Sequence, residues 1–266
     1  MNGLHLIIQY CNDARPDRAA EYDECLRRNL ANPSIATVHN LVEDQTIVPD
    51  EFKSHEKYKE HKLGRWMTYK DAFEYAAEKL PGQVVALANL DIFLDPAANW
   101  QQAMQVVSTE IVLCLSRVEW DKDGKTFLDP GLAQIAFANT QDAWIFKSPL
   151  VVANCDFEIG TLGCDNAIAH RIKAAGKLPV NAASQFRIFH YDRARGKSFA
   201  NQQQVHGTER AHRPRRRPEE EGQYLLPDID HVKSVDQILT ALKVTDMQRY
   251  VIICDVMSRF IRIRND

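Results

Sequence analysis

The chain has no CxxC pair and no alternating Cys/His spacing among its six cysteines, Cys11, Cys25, Cys114, Cys155, Cys164 and Cys254. A zinc cluster is thereby disfavoured. Several of these cysteines stand in apolar stretches, IVLCLS and VIICDV among them, where a reduced thiol behaves as a small core residue. No apolar run approaches the ~18 to 20 residues that span a bilayer, and the opening MNGLHLIIQY lacks the layout of a secretory leader. A reducing, cytoplasmic setting is the expectation. An excess of charge of one sign is also missing: the net charge is −3 with 26% charged residues, so a nucleic-acid contact would need a local patch. Internal repeats and long low-complexity tracts are absent.

What is present is enough apolar material, 45% of 266 residues, for one large α/β domain with or without an appendage. LHLIIQYC reads as a buried strand, and the segment from Arg18 places Tyr22, Cys25, Leu26 and Leu30 on one side of a helix. IATVHNLVE is the next strand, and the polar, lysine-rich stretch through Lys62 reads as a loop. A helix is expected over Arg65 to Leu80, with Trp66, Tyr69, Phe73 and Ala76 at helical spacing, and QVVALANLDIFLD follows as one strand. TEIVLCLSRVEW is a further strand, and one or two short strands are expected around a turn at Asn139 to Asp142. CDNAIAHRIKAAG is a helix closed by Gly176, and LPVNAASQFRIFHYD is a late strand ending on His190. Alternation of this kind predicts a mixed, mainly parallel sheet flanked by helices. The expected organisation is a domain over 1–198, a charged loop over 199–223 and an α/β extension over 224–266 that packs back on it.

In such sheets ligands collect beyond the carboxyl ends of the strands. Two ends carry polar groups: Asn12 and Asp13 after the first strand, and Asn89, Asp91 and Asp95 in ALANLDIFLDP. Residues two apart on a strand share a face, so Asn89 and Asp91 are expected on the same side, as a hard-cation site for Mg²⁺ or Mn²⁺ would require. A plain turn with a capping acid fits the same residues, because aspartate is common where strands end. Asn12 and Asp13 likewise suit an Asx turn before Pro16.

ALANLDIFLD, TQDAWIFK, GCDNAIAHRI and the FHYD strand end together resemble the GT-A fold glycosyltransferases that use nucleotide sugars. The resemblance covers residues 4 to 192, with Asn89 where the family often has an acid. It implies a divalent metal, Mn²⁺ or Mg²⁺, held by Asp91 and His190 with Asn89 and Asp95 assisting, against the diphosphate of a UDP-sugar or similar donor. It further implies that Asn12 and Asp13 face the base and ribose, that Asp142 accepts a sugar hydroxyl, and that Arg65 and Lys70 neutralise diphosphate. Asp165 would be the general base of an inverting transfer or else an acceptor contact, with Asn166 beside it, although either residue also suits a helix N-cap. Trp144 reads as core by its apolar neighbours and as a stacking face for the acceptor by the resemblance.

The acceptor is the least defined part. Arg210, Arg213, Arg215, Arg216 and Arg217 cluster in the charged loop, and arginines can track phosphates. With the resemblance, they point to a hydroxymethylated base in DNA, as in phage enzymes of this kind, and the setting would then be host cytoplasm; the adjacent Glu219 to Glu221 can instead neutralise the run locally. A glycan or small-molecule acceptor and an inactive nucleotide-binding module are the alternatives. A nucleotidyltransferase is disfavoured, because no glycine-rich basic loop follows the first strand.

Overall fold

Strands and helices alternate through the first half of the chain as the hydrophobic periodicity predicts. The computed structural model describes residues 3–120, 126–127, 141–161 and 163–191, together with Met247 and Val251. The expected charged loop lies outside these residues, as does the expected extension apart from those two positions. In chain order the elements are β1 (Leu4–Ile8), α1 (Pro16–Ala31), β2 (Ile35–Val42), α2 (Asp50–Lys53), β3 (Tyr58–Lys62), α3 (Tyr69–Lys79) and β4 (Val84–Ala88). They continue with β5 (Ile92–Leu94), α4 (Trp100–Val106), β6 (Ile111–Leu115), β7 (Arg117–Trp120), β8 (Thr126–Phe127) and β9 (Ala143–Lys147). Helix α5 (Cys164–Ala174) and strands β10 (Leu178–Val180) and β11 (Ile188–His190) complete the described fold.

Seven strands form the main sheet in the order β10-β6-β9-β4-β1-β2-β3. Only β9 runs against its neighbours, β4 and β6; the other pairings are parallel. This is a Rossmann-like α/β arrangement, mixed and mainly parallel, as expected. Central parallel strands are covered on both faces, which is why VVALA and IVLCL are apolar without alternation. Helix α3 covers β9 through rings: Tyr69 meets Trp144 edge-on at 4.9 Å and Phe73 meets Phe146 at 5.3 Å. At the far edge β3 buries Tyr58 and exposes Lys59 to Lys62, charges that discourage pairing with another chain. The sequence had suggested a loop here, because its lysines hide a strand that needs only one buried face.

A second sheet, β5-β11-β7-β8, is built from continuations of strands in the first. Three segments expected as single strands are therefore each two. β4 passes to β5 through a turn at Asn89 to Asp91, β6 to β7 across Ser116, and β10 to β11 through residues 181–187. Buried polar side chains replace the ladder at these breaks: Asn181 Nδ2 donates to Ser116 Oγ at 2.9 Å, and Ser116 N donates to Asn181 Oδ1 at 3.3 Å. Helix α1 completes the edge strand β5 in the same way. Asn29 exchanges bonds with Ile92 O and Leu94 N at 2.9 and 3.0 Å, and Asn32 donates to Leu94 O at 3.2 Å.

Helix α3 begins four residues later than the periodicity suggests. Thr68 is its N-cap, in a reciprocal capping box with Asp71. Arg65 consequently precedes the helix instead of lying on it. The five described cysteines are buried thiols, none of them in a disulfide, as small core residues should be.

Strands β1 and β2 bring His5 and His39 together beneath α3. His5 Nδ1 is 3.2 Å from His39 Nε2, and His39 Nδ1 is 3.0 Å from the Tyr75 hydroxyl. Burial, followed by the neighbouring His5 and Lys59 charges, lowers His39 to about 4. Its folded value thus lies below its unfolded one, so stability from this pair is complete above about pH 6.5 and is lost as the pH falls toward 4. Urea midpoints should fall over that window, and His39→Gln should flatten the slope. A wild-type slope that persists in the variant would assign the acid sensitivity elsewhere.

Candidate active site

The two sheets meet at the level where β4 and β6 end, and the polar residues of the strand breaks converge there. Arg18, on the buried face of α1, donates from Nη1 to Glu21 at 2.9 Å and from Nη2 to Asp91 Oδ2 at 2.5 Å. The same Asp91 oxygen lies 3.3 Å from His190 Nε2, while His190 Nδ1 lies 2.8 Å from Glu119 Oε2. Glu119 Oε1 accepts from Arg117 Nε at 2.9 Å, and Arg117 Nη1 donates to Asp142 Oδ2 at 2.9 Å. Asn89 Nδ2 then donates to Asp142 Oδ1 at 2.8 Å. Seven residues from α1, the β4–β5 turn, β7, β11 and the position before β9 form one unbroken chain of alternating sign, which the neutral Asn89 ends.

Burial by itself would keep His190 neutral. The charge of Asp91 and the hydrogen bonds to Asp91 and Glu119 more than offset this, and its pKa is raised to about 9. Burial also opposes ionisation of Glu119, yet His190 and Arg117 together hold it down at about 2. Near neutral pH both ring nitrogens of His190 are therefore N–H donors, each facing a carboxylate.

Asp165 stands apart from this chain, in the first turn of α5. Gly163, at φ 81° just before the helix, is the N-cap, so neither Asp165 nor Asn166 holds that position. The left-handed backbone there is what glycine supplies. Asp165 Oδ2 accepts from Gln141 N at 3.3 Å, which ties the helix start to the segment leading into β9. Burial, and then the Asp142 charge, push its carboxyl up to about 6. An acid so placed takes and returns protons near neutrality.

Of the other residues singled out in the sequence, most are committed elsewhere. Asn12 uses its amide on both backbone groups of Ile47 at 2.8 Å, fixing the loop after β2. Asp13 binds Arg15 through both carboxylate oxygens. Arg65 pairs with Asp71, with 2.6 Å between Nη2 and Oδ1, and Lys70 lies 3.8 Å from Glu74 on the exposed face of α3. Trp144 is fully buried, the core reading of that residue. Arg215 and Arg216 lie outside the described residues.

Of the four expected metal ligands, Asp91 and His190 come together, 3.3 Å apart, whereas Asn89 and Asp95 do not join them. Asn89 and Asp91 stand in a turn, not on a strand, and their side chains take different partners, Asp142 and Arg18. Asp95 pairs with Arg187 at 2.8 Å. A divalent ion needs several oxygens or lone-pair nitrogens around one point. Here Arg18 sits against Asp91, and His190 turns N–H groups to its neighbours. Among the described residues no group of three or more His, Cys, Asp or Glu is placed to hold a metal. The arrangement does not fit a divalent cation.

The sequence reading missed Arg18, Arg117 and Glu119. Arg18 falls on the apolar stripe of α1 with Cys25, an unusual place for a cation, and RVEW alternates so that Arg117 and Glu119 share a face. Both signals were legible. No family model and no curated protein matches the chain. Among solved structures it is similar to GalNAc-T7 with UDP, GalNAc and Mn²⁺, at TM-score 0.49 and 11% identity over 72% of this chain and 43% of that one. It is also similar to 4-diphosphocytidyl-2C-methyl-D-erythritol synthase, at TM-score 0.41 and 11% identity over 68% of this chain and 88% of that one. The chain thus spans less than half the length of the first. No helix among the described residues is long and apolar enough to cross a membrane.

Proposed function

We propose that the chain is a glycosyltransferase that moves a sugar from a nucleoside-diphosphate donor to an acceptor hydroxyl. The observation that carries this reading is Asp165, a half-buried carboxyl raised to about 6 beside the charged chain at the strand ends. A site of that kind pairs a proton acceptor with fixed charge for a departing diphosphate. In an inverting transfer Asp165 takes the acceptor's hydroxyl proton as its oxygen forms the bond to the anomeric carbon. The bond from that carbon to the diphosphate oxygen breaks, and the nucleoside diphosphate leaves with the electron pair. Asp142 is held by Asn89 and Arg117 next to this acid, and its charge keeps Asp165 basic enough to act.

A thermal-shift screen of nucleotide sugars, followed by measurement of released nucleoside diphosphate with and without acceptors, tests the assignment. One donor is expected to raise the melting temperature and to be hydrolysed slowly even without acceptor. The acceptor panel should set hydroxymethylated DNA beside glycans and small alcohols. If no sugar nucleotide stabilises the protein or is turned over, the glycosyltransferase reading fails.

A further inference from the structure

The seven charged groups at the strand ends are three cations and four carboxylates, which leaves one negative charge over. A divalent cation answers such a surplus where oxygens converge on one point with no cation among them. Three of the carboxylates fail that condition. Glu21 faces Arg18, Asp91 faces Arg18 and His190, and Glu119 faces His190 and Arg117, so a metal ion at any of them would sit against a positive charge.

Asp142 differs, because only one of these contacts is to a cation. Its Oδ2 accepts from Arg117 Nη1 at 2.9 Å, whereas Oδ1 accepts from the neutral amide of Asn89 at 2.8 Å. A carboxylate only accepts, so the amide must turn its NH₂ group toward it. The backbone holds Asn89 in the same place: its N–H donates to Asp142 O at 3.1 Å, and its carbonyl accepts from Ile92 N at 3.2 Å. The 2.8 Å between Asn89 Nδ2 and Asp142 Oδ1 is close to the separation of neighbouring oxygens in an octahedral Mg²⁺ shell, about 2.9 Å. A carboxylate in the pose of Asn89 would therefore give a cation two adjacent oxygens, and the repulsion between the two acids would need that cation. With an amide there, a hydrogen bond takes its place.

We propose that Asn89 keeps a divalent cation out of this site, its amide filling beside Asp142 the position of a second metal-binding carboxylate. Asn89→Asp then converts the pair into a site for Mn²⁺ or Mg²⁺. The proposal concerns the ion and is independent of the substrate; only its corollary, that transfer proceeds in EDTA, rests on the glycosyl-transfer reading.

Titration calorimetry of MnCl₂ into the full native chain, and melting temperatures in EDTA and in Mn²⁺, test the proposal. The native chain should melt at the same temperature in both buffers. Asn89→Asp should bind Mn²⁺ at least about ten-fold more tightly than the native chain, as a second carboxylate beside Asp142 provides, and its melting temperature should rise with the ion. Adding Asp142→Asn to that variant breaks the pair and should restore the native indifference to Mn²⁺. Native Mn²⁺ binding that is lost in Asp142→Asn, or an Asn89→Asp chain as indifferent to the ion as the native one, would overturn the proposal. If the aspartate variant does not fold in EDTA, recovery of its circular dichroism with Mn²⁺ supports the proposal, and without recovery the native titration decides it. Release of nucleoside diphosphate from UDP-sugars is read separately. Native release that EDTA abolishes also counts against the proposal, whereas no release in either buffer counts against glycosyl transfer alone, and the Mn²⁺ titrations still decide the role of Asn89.

Discussion

Asp91→Ala should lower the stability of the protein by about 3 kcal/mol, the order expected when one member of a buried ion pair is removed and its partner is left behind. Asp91 Oδ2 is the point at which Arg18 and His190 meet, and Arg18 is almost completely enclosed. Without the carboxylate, Arg18 is left facing Glu21 and His190 facing Glu119, and the negative charge the two cations share is gone. Urea unfolding followed by circular dichroism measures the loss, and a variant with the native midpoint would show that Arg18 can reach solvent at little cost. The pH profile adds a signature that a simple cavity would not give. The folded pKa of His190 lies above its unfolded value, so its contribution is complete below about pH 6.5 and is lost as pH rises through about 9. Glu119 has the opposite sign: its contribution is present above about 4.5 and is lost as pH falls through about 2. Asp91→Ala should flatten the alkaline slope more than the acidic one, because Glu119 keeps Arg117.

From the sequence, Asp91 reads as an acid reserved for chemistry and spared by the fold. The difference comes from long-range contacts. Strand positions such as Val84–Ala88 and Ile111–Leu115 were legible because continuous apolar runs leave few alternatives to a buried strand. The breaks after them were not, since the decisive event is a hydrogen-bond exchange between Ser116 and Asn181, 65 positions apart. The edge strand β3 escaped notice because one buried tyrosine followed by four exposed residues has no strand periodicity. At the site, the turn NLD was found by its composition, whereas its principal partner, Arg18, lies 73 positions earlier. A cation on an apolar helix stripe was the available clue. Local pattern locates such a residue, but only the fold shows which carboxylate it neutralises.

Asp165→Asn should reduce sugar transfer by about 10²- to 10⁴-fold, the range for losing a general base, while leaving the fold in place. The amide oxygen can still accept from Gln141 N, and Gly163 remains the helix cap. Stability should not fall with activity. The carboxyl is raised to about 6 by burial and by Asp142, so between its unfolded value of 3.8 and about 6 the folded chain holds a proton that the unfolded chain releases. Stability therefore declines with rising pH across that interval, and the cost of the buried charge stays in place above it. Replacing Asp165 by Asn removes this cost, and the variant should be at least as stable as the native chain at pH 7.5 and above. The kinetic profile carries the complementary test. Native kcat/KM should rise through a limb near pH 6 as Asp165 ionises, and the residual activity of Asp165→Asn should lack that limb. Asp142→Asn removes the neighbouring negative charge and should move the limb toward acid without abolishing it. A limb that stays in place when Asp142 is neutralised, or that survives in Asp165→Asn, belongs to another group, and Asp165 would then be a contact in the site without being its base.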